Sequence, residues 1–441
     1  MAHSHTTTKV VVVGGGGTMG SSTALHLIRS GYTPSNITVL DVYPIPSAQS
    51  AGYDLNKIMS IRLRNGPDLQ LSLEALDMWK NDPLFKPFFH NVGMIDASSS
   101  EDGIANLRKH YQSIIDANIG LEKTNWLLES EDDILEKVPA FTREQIKGWK
   151  GLFCADGGWL AAAKAINAIG QFLKDQGVNF GFGKYVMTLR SGSFKQPLFA
   201  PDGITCNGVE TVDGTKYHAD KVVLAAGAWS STLIDLEDQC VSKAWVFAHI
   251  QLTPEEVAKY KNIPVVYDGE YGFFFEPNEH GVIKVCDEFP GFSRFKQHQP
   301  YGANSPKSIS VPRSHAKHPT DTYPEASEVT IRKAIARFMP QFKDKELFNR
   351  SMCWCTDTAD ANLLICEHPK WKNFILATGD SGFKLLPNIG KHVVEVIEGS
   401  LPPHLADPWM WRPGGDALKS IRAAPAKDLA DLPGWKHDPK L

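Results

Sequence analysis

The chain has 441 residues, 42 % of them hydrophobic and 22 % charged, with a formal net charge of −4. This is the composition of a globular enzyme of two or three domains; the small negative charge, with no long basic run, argues against nucleic-acid or anionic-membrane partners, and no apolar stretch reaches the ~18 residues of a membrane span. Seven thinly spread cysteines suggest a reducing compartment rather than a disulfide framework, and the opening MAHSHTTTK has no apolar signal region, so secretion is not expected.

Residues 9–41, KVVVVGGGGTMGSSTALHLIRSGYTPSNITVLD, organise the rest. The run 10–13 reads as a buried parallel strand. It empties into Gly15-x-Gly17-x-x-Gly20, followed by a helical stripe over 21–30 and a second β-rich run, 37–40, that ends at Asp41. This strand–turn–helix–strand context is what a dinucleotide fingerprint requires. The glycines let the backbone approach a pyrophosphate, and the helix N-terminus offers free N–H groups to it. Asp41 lies beyond the usual ~20 residues from the first glycine, an excess accounted for by the insert 32–36; it can accept hydrogen bonds from a ribose. A glycine-rich turn with no ligand is the plain alternative, and the surrounding elements disfavour it.

Next comes a loop with Pro44 and Pro46, then a small-residue stretch, 48–65, closing on Lys57, Arg62 and Arg64. Helices are expected over 71–80, 101–117 and 160–176. The stretch 180–219 is β-like, with Asp213-Gly214 as a hairpin turn. KVVLAAG (221–227) is another buried parallel strand. From 241 the pattern changes to long strands, and the turn 278–281 predicts an antiparallel hairpin between GEYGFFFEP and GVIKVCDE. A Pro-, Ser- and His-rich loop spans 300–324, a helix 327–338, a third buried strand 373–378, and a last helix 388–398; the tail from 402 wraps the surface. The sequence thus predicts an α/β nucleotide-binding (Rossmann-like) domain built from 1–65, 150–235 and 345–400. A mainly antiparallel α+β substrate domain, 66–149 and 236–344, interleaves with it, and 401–441 forms the tail. An interrupted domain of this kind suits FAD, a long cofactor gripped from several segments, better than NAD.

The motifs VVVVGGGGTMGSSTALHL, KVVLAAGAWS, EPNEHGVIKVCDEFPGF, CWCTDTAD, GDSGFKLLPNIG and WRPG resemble the sarcosine-oxidase-like branch of the glutathione-reductase-type flavoproteins, and within it the fungal fructosyl amino acid and fructosyl peptide oxidases, the Amadoriases. The first two motifs indicate only FAD or NAD; the last four, in this order, are specific. The resemblance implies FAD and oxidation of the secondary amine of a 1-deoxyfructosyl amino acid or short peptide. Oxygen is the acceptor, imine hydrolysis follows, and glucosone, the free amine compound and hydrogen peroxide are released.

The resemblance also implies site residues. FAD is expected against Gly15, Gly17, Thr18, Met19, Gly20, Asp41, Ser50, Lys57, Asp380, Phe383 and Lys384, with a covalent thioether from Cys353. Spacing alone does not separate Cys353 from Cys355. Lys284 reads from periodicity as a solvated strand residue, whereas the resemblance places it over the flavin, helping oxygen reduction with a fixed positive charge. Lys57 matches a basic residue on the other flavin face. Glu288, four residues after Lys284 and so on the same face of a regular strand, matches the carboxylate that meets the sugar and amine. Arg412 matches the arginine that receives the substrate carboxylate, a task suited to a forked guanidinium. Lys384 matches a pocket lysine.

No metal spacing is convincing, and GDSG lacks the context of a nucleophile elbow. The chain departs from the family where GDSG runs directly into FKLLPN, omitting a histidine and a small residue between Gly382 and Phe383. The expected function is therefore an FAD-dependent fructosyl amino acid or peptide oxidase, without metal, nucleic-acid or membrane partner and monomeric. The alternatives are a sarcosine-, pipecolate- or saccharopine-type oxidase, or a non-catalytic dinucleotide-binding redox sensor. The final Pro439-Lys440-Leu441 approaches a peroxisomal address; a cytoplasmic location is the alternative.

Overall fold

A computed structural model describes residues 5–61, 68–183, 193–269, 271–314, 323–379, 382–419, 426–433 and 435. Its first sheet has six strands in the order Leu364–Glu367, Phe374–Thr378, Lys221–Leu224, Val10–Val13, Ile37–Asp41 and Asn179–Phe182. All neighbours are parallel except the edge strand Leu364–Glu367. Four consecutive valines suit the centre because both faces are covered. Val10 and Val12 enter a core shared with helices Thr18–Arg29, Ala162–Gln176 and Ile389–Glu398, while Val11 and Val13 enter one shared with the meander of Phe194–Phe199, Cys206–Thr211 and Lys216–His218.

Helices Thr18–Arg29 and Ile389–Glu398 cross closely. Ser22 Oγ donates to the Leu386 carbonyl at 2.7 Å and accepts from Gly390 N–H at 2.9 Å. A Cβ on Gly390 would stand 2.0 Å from the Ser22 carbonyl oxygen, which belongs to the helix backbone rather than to a flexible side chain. Gly390→Ala is expected to destabilise by the ~1–3 kcal/mol typical of overpacking, read as a lowered urea midpoint; an unchanged midpoint would mean that the helices separate freely.

The second domain is built on antiparallel pairing. Cys240–Gln251 is flanked by Phe348–Thr358 and Val282–Ser293, the latter joined on its far side by Lys427–Asp428. A five-stranded sheet contains Met94–Ser98, Asn125–Leu128, Lys150–Cys154, Val265–Asp268 and Gly272–Phe274. Helix Glu325–Phe338 packs its buried Ile331, Ala334, Ile335 and Phe338 into the core between them.

Three sequence expectations change here. Phe348–Thr358 belongs to the antiparallel sheet rather than to the nucleotide domain, and Lys150–Cys154 also lies in the second domain. The hairpin across residues 278–281 is replaced: Gly272–Phe274 pairs with Val265–Asp268, and Val282–Ser293 with Cys240–Gln251. Twelve-residue strands find a longer apolar partner at a distance than the short strand beside them in sequence.

Candidate active site

A cavity of about 790 Å³ runs from the C-terminal end of the first sheet, past the glycine turn, to the face of Cys240–Gln251 and its neighbours. At one end lies the helix Thr18–Arg29, whose N-terminus no side chain caps; Gly17, Thr18 and Met19 line the cavity there. Its free N–H groups and dipole suit an anion. A Cβ on Gly20 would sit 2.4 Å from the Gly14 carbonyl oxygen, so glycine is what lets helix and turn approach. Asp41 lines the same end. Its Oδ2 accepts from Gly16 N–H at 3.0 Å, and its Oδ1 from the Ser47 hydroxyl at 2.6 Å. Burial pushes its carboxyl pKa up, against these hydrogen bonds. Ser50 also lines this end, its hydroxyl accepting from Gly52 N–H.

At the other end a buried charge cluster faces the cavity. Asp54 Oδ2 lies 2.7 Å from Lys57 Nζ and 2.6 Å from Lys284 Nζ. Lys284 also donates to the Asn56 carbonyl at 3.3 Å and stands over the Phe247 ring, 5.0 Å from its centroid. Burial alone would raise the Asp54 pKa, but the two ammoniums outweigh it and hold the carboxyl well below the usual range. Lys284 is therefore buried rather than solvated. Both ammoniums touch a single oxygen, Asp54 Oδ2, and both lysines line the same part of the cavity.

Lys57 Nζ donates to Cys353 Sγ at 3.4 Å. A hydrogen bond from Cys355 and, against the opposing effect of burial, the Lys57 charge lower the Cys353 thiol pKa to about 6. Cys353 and Cys355 both line the cavity, since residues two apart on a strand share a face; the contact with Lys57 is what distinguishes Cys353.

Phe383 and Lys384 line the cavity as well, on the short turn Phe383–Leu385. Trp79 steadies that turn by donating its indole N–H to the Lys384 carbonyl at 2.8 Å and stacking near Phe383. Asp380 lies outside the described residues, and so does the side chain of Glu288. The pairing of its strand steps from Asp287 opposite Val246 to Phe292 opposite Ala244, so regular alternation ends at Asp287 and spacing from Lys284 does not fix the side of Glu288.

Arg412 is not among the residues lining the cavity. Its Nε and Nη2 grip the Asp360 carboxylate at 3.0 Å each, Nη2 also meets the Asn362 carbonyl, and Nη1 meets the Met410 carbonyl. With Asp360 already in the fork, bidentate reception of a substrate carboxylate is not available in this arrangement.

The sequence reading passed over Asp54 and Asn56. Asp54 is the sole charged residue between Asp41 and Lys57, a signal that could have marked it. Asn56 is fully buried, lines the cavity, and neither end of its amide has a hydrogen-bond partner. Such a group is costly unless a ligand satisfies it. The orphaned amide, the uncapped helix over a glycine turn and the size of the cavity all fit a bound flavin dinucleotide.

A cavity with a dinucleotide cradle at one end and a cationic cluster at the other, between a parallel and an antiparallel sheet, defines a flavin-dependent oxidoreductase. The model of the FAD dependent oxidoreductase family matches residues 9–396, and the chain belongs to that family. It is similar to L-saccharopine oxidase of Schizosaccharomyces pombe, 31 % identical over 408 residues that cover 90 % of this chain and 91 % of the relative. Among solved structures, a fructosyl peptide oxidase from E. terrenum is 81 % identical and superposes with a TM-score of 0.96 over 99 % of both chains. The fructosamine oxidase Amadoriase II from Aspergillus fumigatus is 34 % identical, with a TM-score of 0.85 over 100 % of this chain and 99 % of that one.

Proposed function

We propose that this protein is a fructosyl amino acid or fructosyl peptide oxidase. It oxidises the secondary amine of an Amadori product with O₂; water then cleaves the imine to give glucosone, the free amino acid or peptide, and hydrogen peroxide. The observation that carries the reading is the 81 % identity to a fructosyl peptide oxidase over almost the whole of both chains, in a chain whose cavity fits FAD. FAD supplies the two-electron oxidation when bound.

The chain's own residues then have separable tasks. The N–H groups at Gly17–Gly20 bind the pyrophosphate. The hydrogen bond from Cys355 and the charge of Lys57 favour the Cys353 thiolate, the form able to bond covalently to the flavin. Lys284 presents a buried positive charge where negative charge develops on oxygen. Glu288 is assigned to the substrate ammonium, and Lys384, which lines the cavity, to the substrate pocket. The protein acts as a monomer.

A second reading, a saccharopine-type oxidase, is favoured by the 31 % identity to the yeast enzyme. Peroxide release from fructosyl-valine, fructosyl-lysine, a fructosyl dipeptide, saccharopine and sarcosine separates the two. We expect the fructosyl compounds to lead by ~10⁴ or more in kcat/KM, the discrimination of a site that hydrogen-bonds substrate hydroxyls; saccharopine leading would overturn the proposal.

A further inference from the structure

We propose that Asp54 is a positioning residue for oxygen reduction: it holds Lys57 and Lys284 side by side and keeps both protonated. Its carboxylate is almost wholly buried, and one oxygen, Oδ2, contacts both ammoniums at 2.7 and 2.6 Å. Two cations in so dry a place each disfavour the other's protonation. Among the described residues, Asp54 is the one carboxylate within ion-pair distance of either.

The other groups around the cluster do not replace it. Cys353 and Cys355 face Lys57 from Phe348–Thr358, and Cys286 faces Lys284 from its own strand. His249, directly opposite Lys284 on Cys240–Gln251, is buried and, its pKa lowered by that burial to about 4, neutral. Once Cys353 is bonded to flavin it has no charge to offer. The compensation for two ammoniums then rests on Asp54. Its second oxygen, Oδ1, is buried with no hydrogen-bond partner, so the carboxylate is anchored through these lysines.

The consequence for oxygen rests on the FAD reading above; the ion-pair arrangement itself does not. The test compares Asp54→Asn, Asp54→Glu and the wild-type holoenzyme in two ways. The first is the thermal midpoint as a function of pH. In the wild type both lysine pKa values are raised, so their contribution is intact throughout the neutral range. In Asp54→Asn one lysine falls below its ordinary value. Between about pH 7 and 9 the unfolded chain then binds more protons than the folded one, and stability rises with pH. The midpoint gap between variant and wild type should therefore narrow as pH rises.

The second readout is the pH profile of flavin reoxidation by O₂ in stopped flow. It should be flat in the wild type, and in Asp54→Asn fall by about tenfold per pH unit above the new lysine pKa. Asp54→Glu should restore a flat profile. If Asp54→Asn fails to fold, Asp54→Asn/Lys57→Met, which removes one cation along with the counter-charge, should fold. A constant midpoint gap with a flat oxygen profile, or failure of both variants to fold, would overturn the proposal. A protein without flavin that still shows the narrowing gap would uphold the ion-pair role and defeat the FAD reading instead.

Discussion

Lys284→Met is expected to slow reoxidation of the reduced enzyme by O₂ ~10²–10³-fold, the usual cost of losing one preorganised charge at a reacting centre, while slowing reduction by substrate far less. Methionine keeps the length and the apolar stem and removes only the ammonium. The substitution is also tolerable electrostatically: Asp54 keeps its ion pair with Lys57 at 2.7 Å, so no uncompensated buried charge remains. The loss of the cation over the Phe247 ring is a smaller matter. Stopped-flow measurement of the two half-reactions separates the effects. Equal slowing of both would show that Lys284 shapes the pocket and does not assist oxygen.

The second large effect concerns flavin attachment. In the wild type, acid precipitation should carry the yellow colour down with the protein. In Cys353→Ala all of the flavin should be released to the supernatant; in Cys355→Ala the bond should remain. The difference follows from one contact. Lys57 Nζ meets Cys353 Sγ at 3.4 Å and favours its thiolate, whereas the loss of Cys355 removes a hydrogen bond to that sulfur but not the cation. Attachment in Cys355→Ala is therefore expected to be slower and still complete. Free FAD in the wild-type supernatant would refute covalent attachment, and release from Cys355→Ala alone would move it to the other cysteine.

Much of the nucleotide domain was legible because its signals are local. Val10–Val13, the glycine turn and the helix behind it each declare themselves through periodicity within ten residues, and KVVLAAG repeats the pattern. The second domain was harder because strand pairing is not local: nothing in GVIKVCDE names Cys240–Gln251 as its partner. The same limit applied to the site. Alternation made Lys284 a surface residue, since its counter-charge lies 230 positions away in sequence. Arg412 looked free because Asp360 is 52 positions distant. Period two put Cys353 and Cys355 on one face and could go no further; both face Lys57, and it is the hydrogen bond from Lys57 Nζ to Cys353 Sγ that marks Cys353.

The order of strands in the parallel sheet bears on how the chain is made. Lys221–Leu224 stands between Val10–Val13 and Phe374–Thr378, so its outer edge is covered only by a strand from the last sixth of the sequence. During synthesis the first domain cannot close as it emerges from the ribosome. It must wait, with an apolar strand edge unpaired, while the long strands from Cys240–Gln251 to Phe348–Thr358 are translated. An open apolar edge is a template for wrong pairing, and chains of this length with distant partners fold slowly through states prone to aggregate. A nascent chain arrested anywhere before residue 374 would therefore be a client for chaperones, and recombinant yield should respond to growth temperature more than the stability of the finished protein suggests.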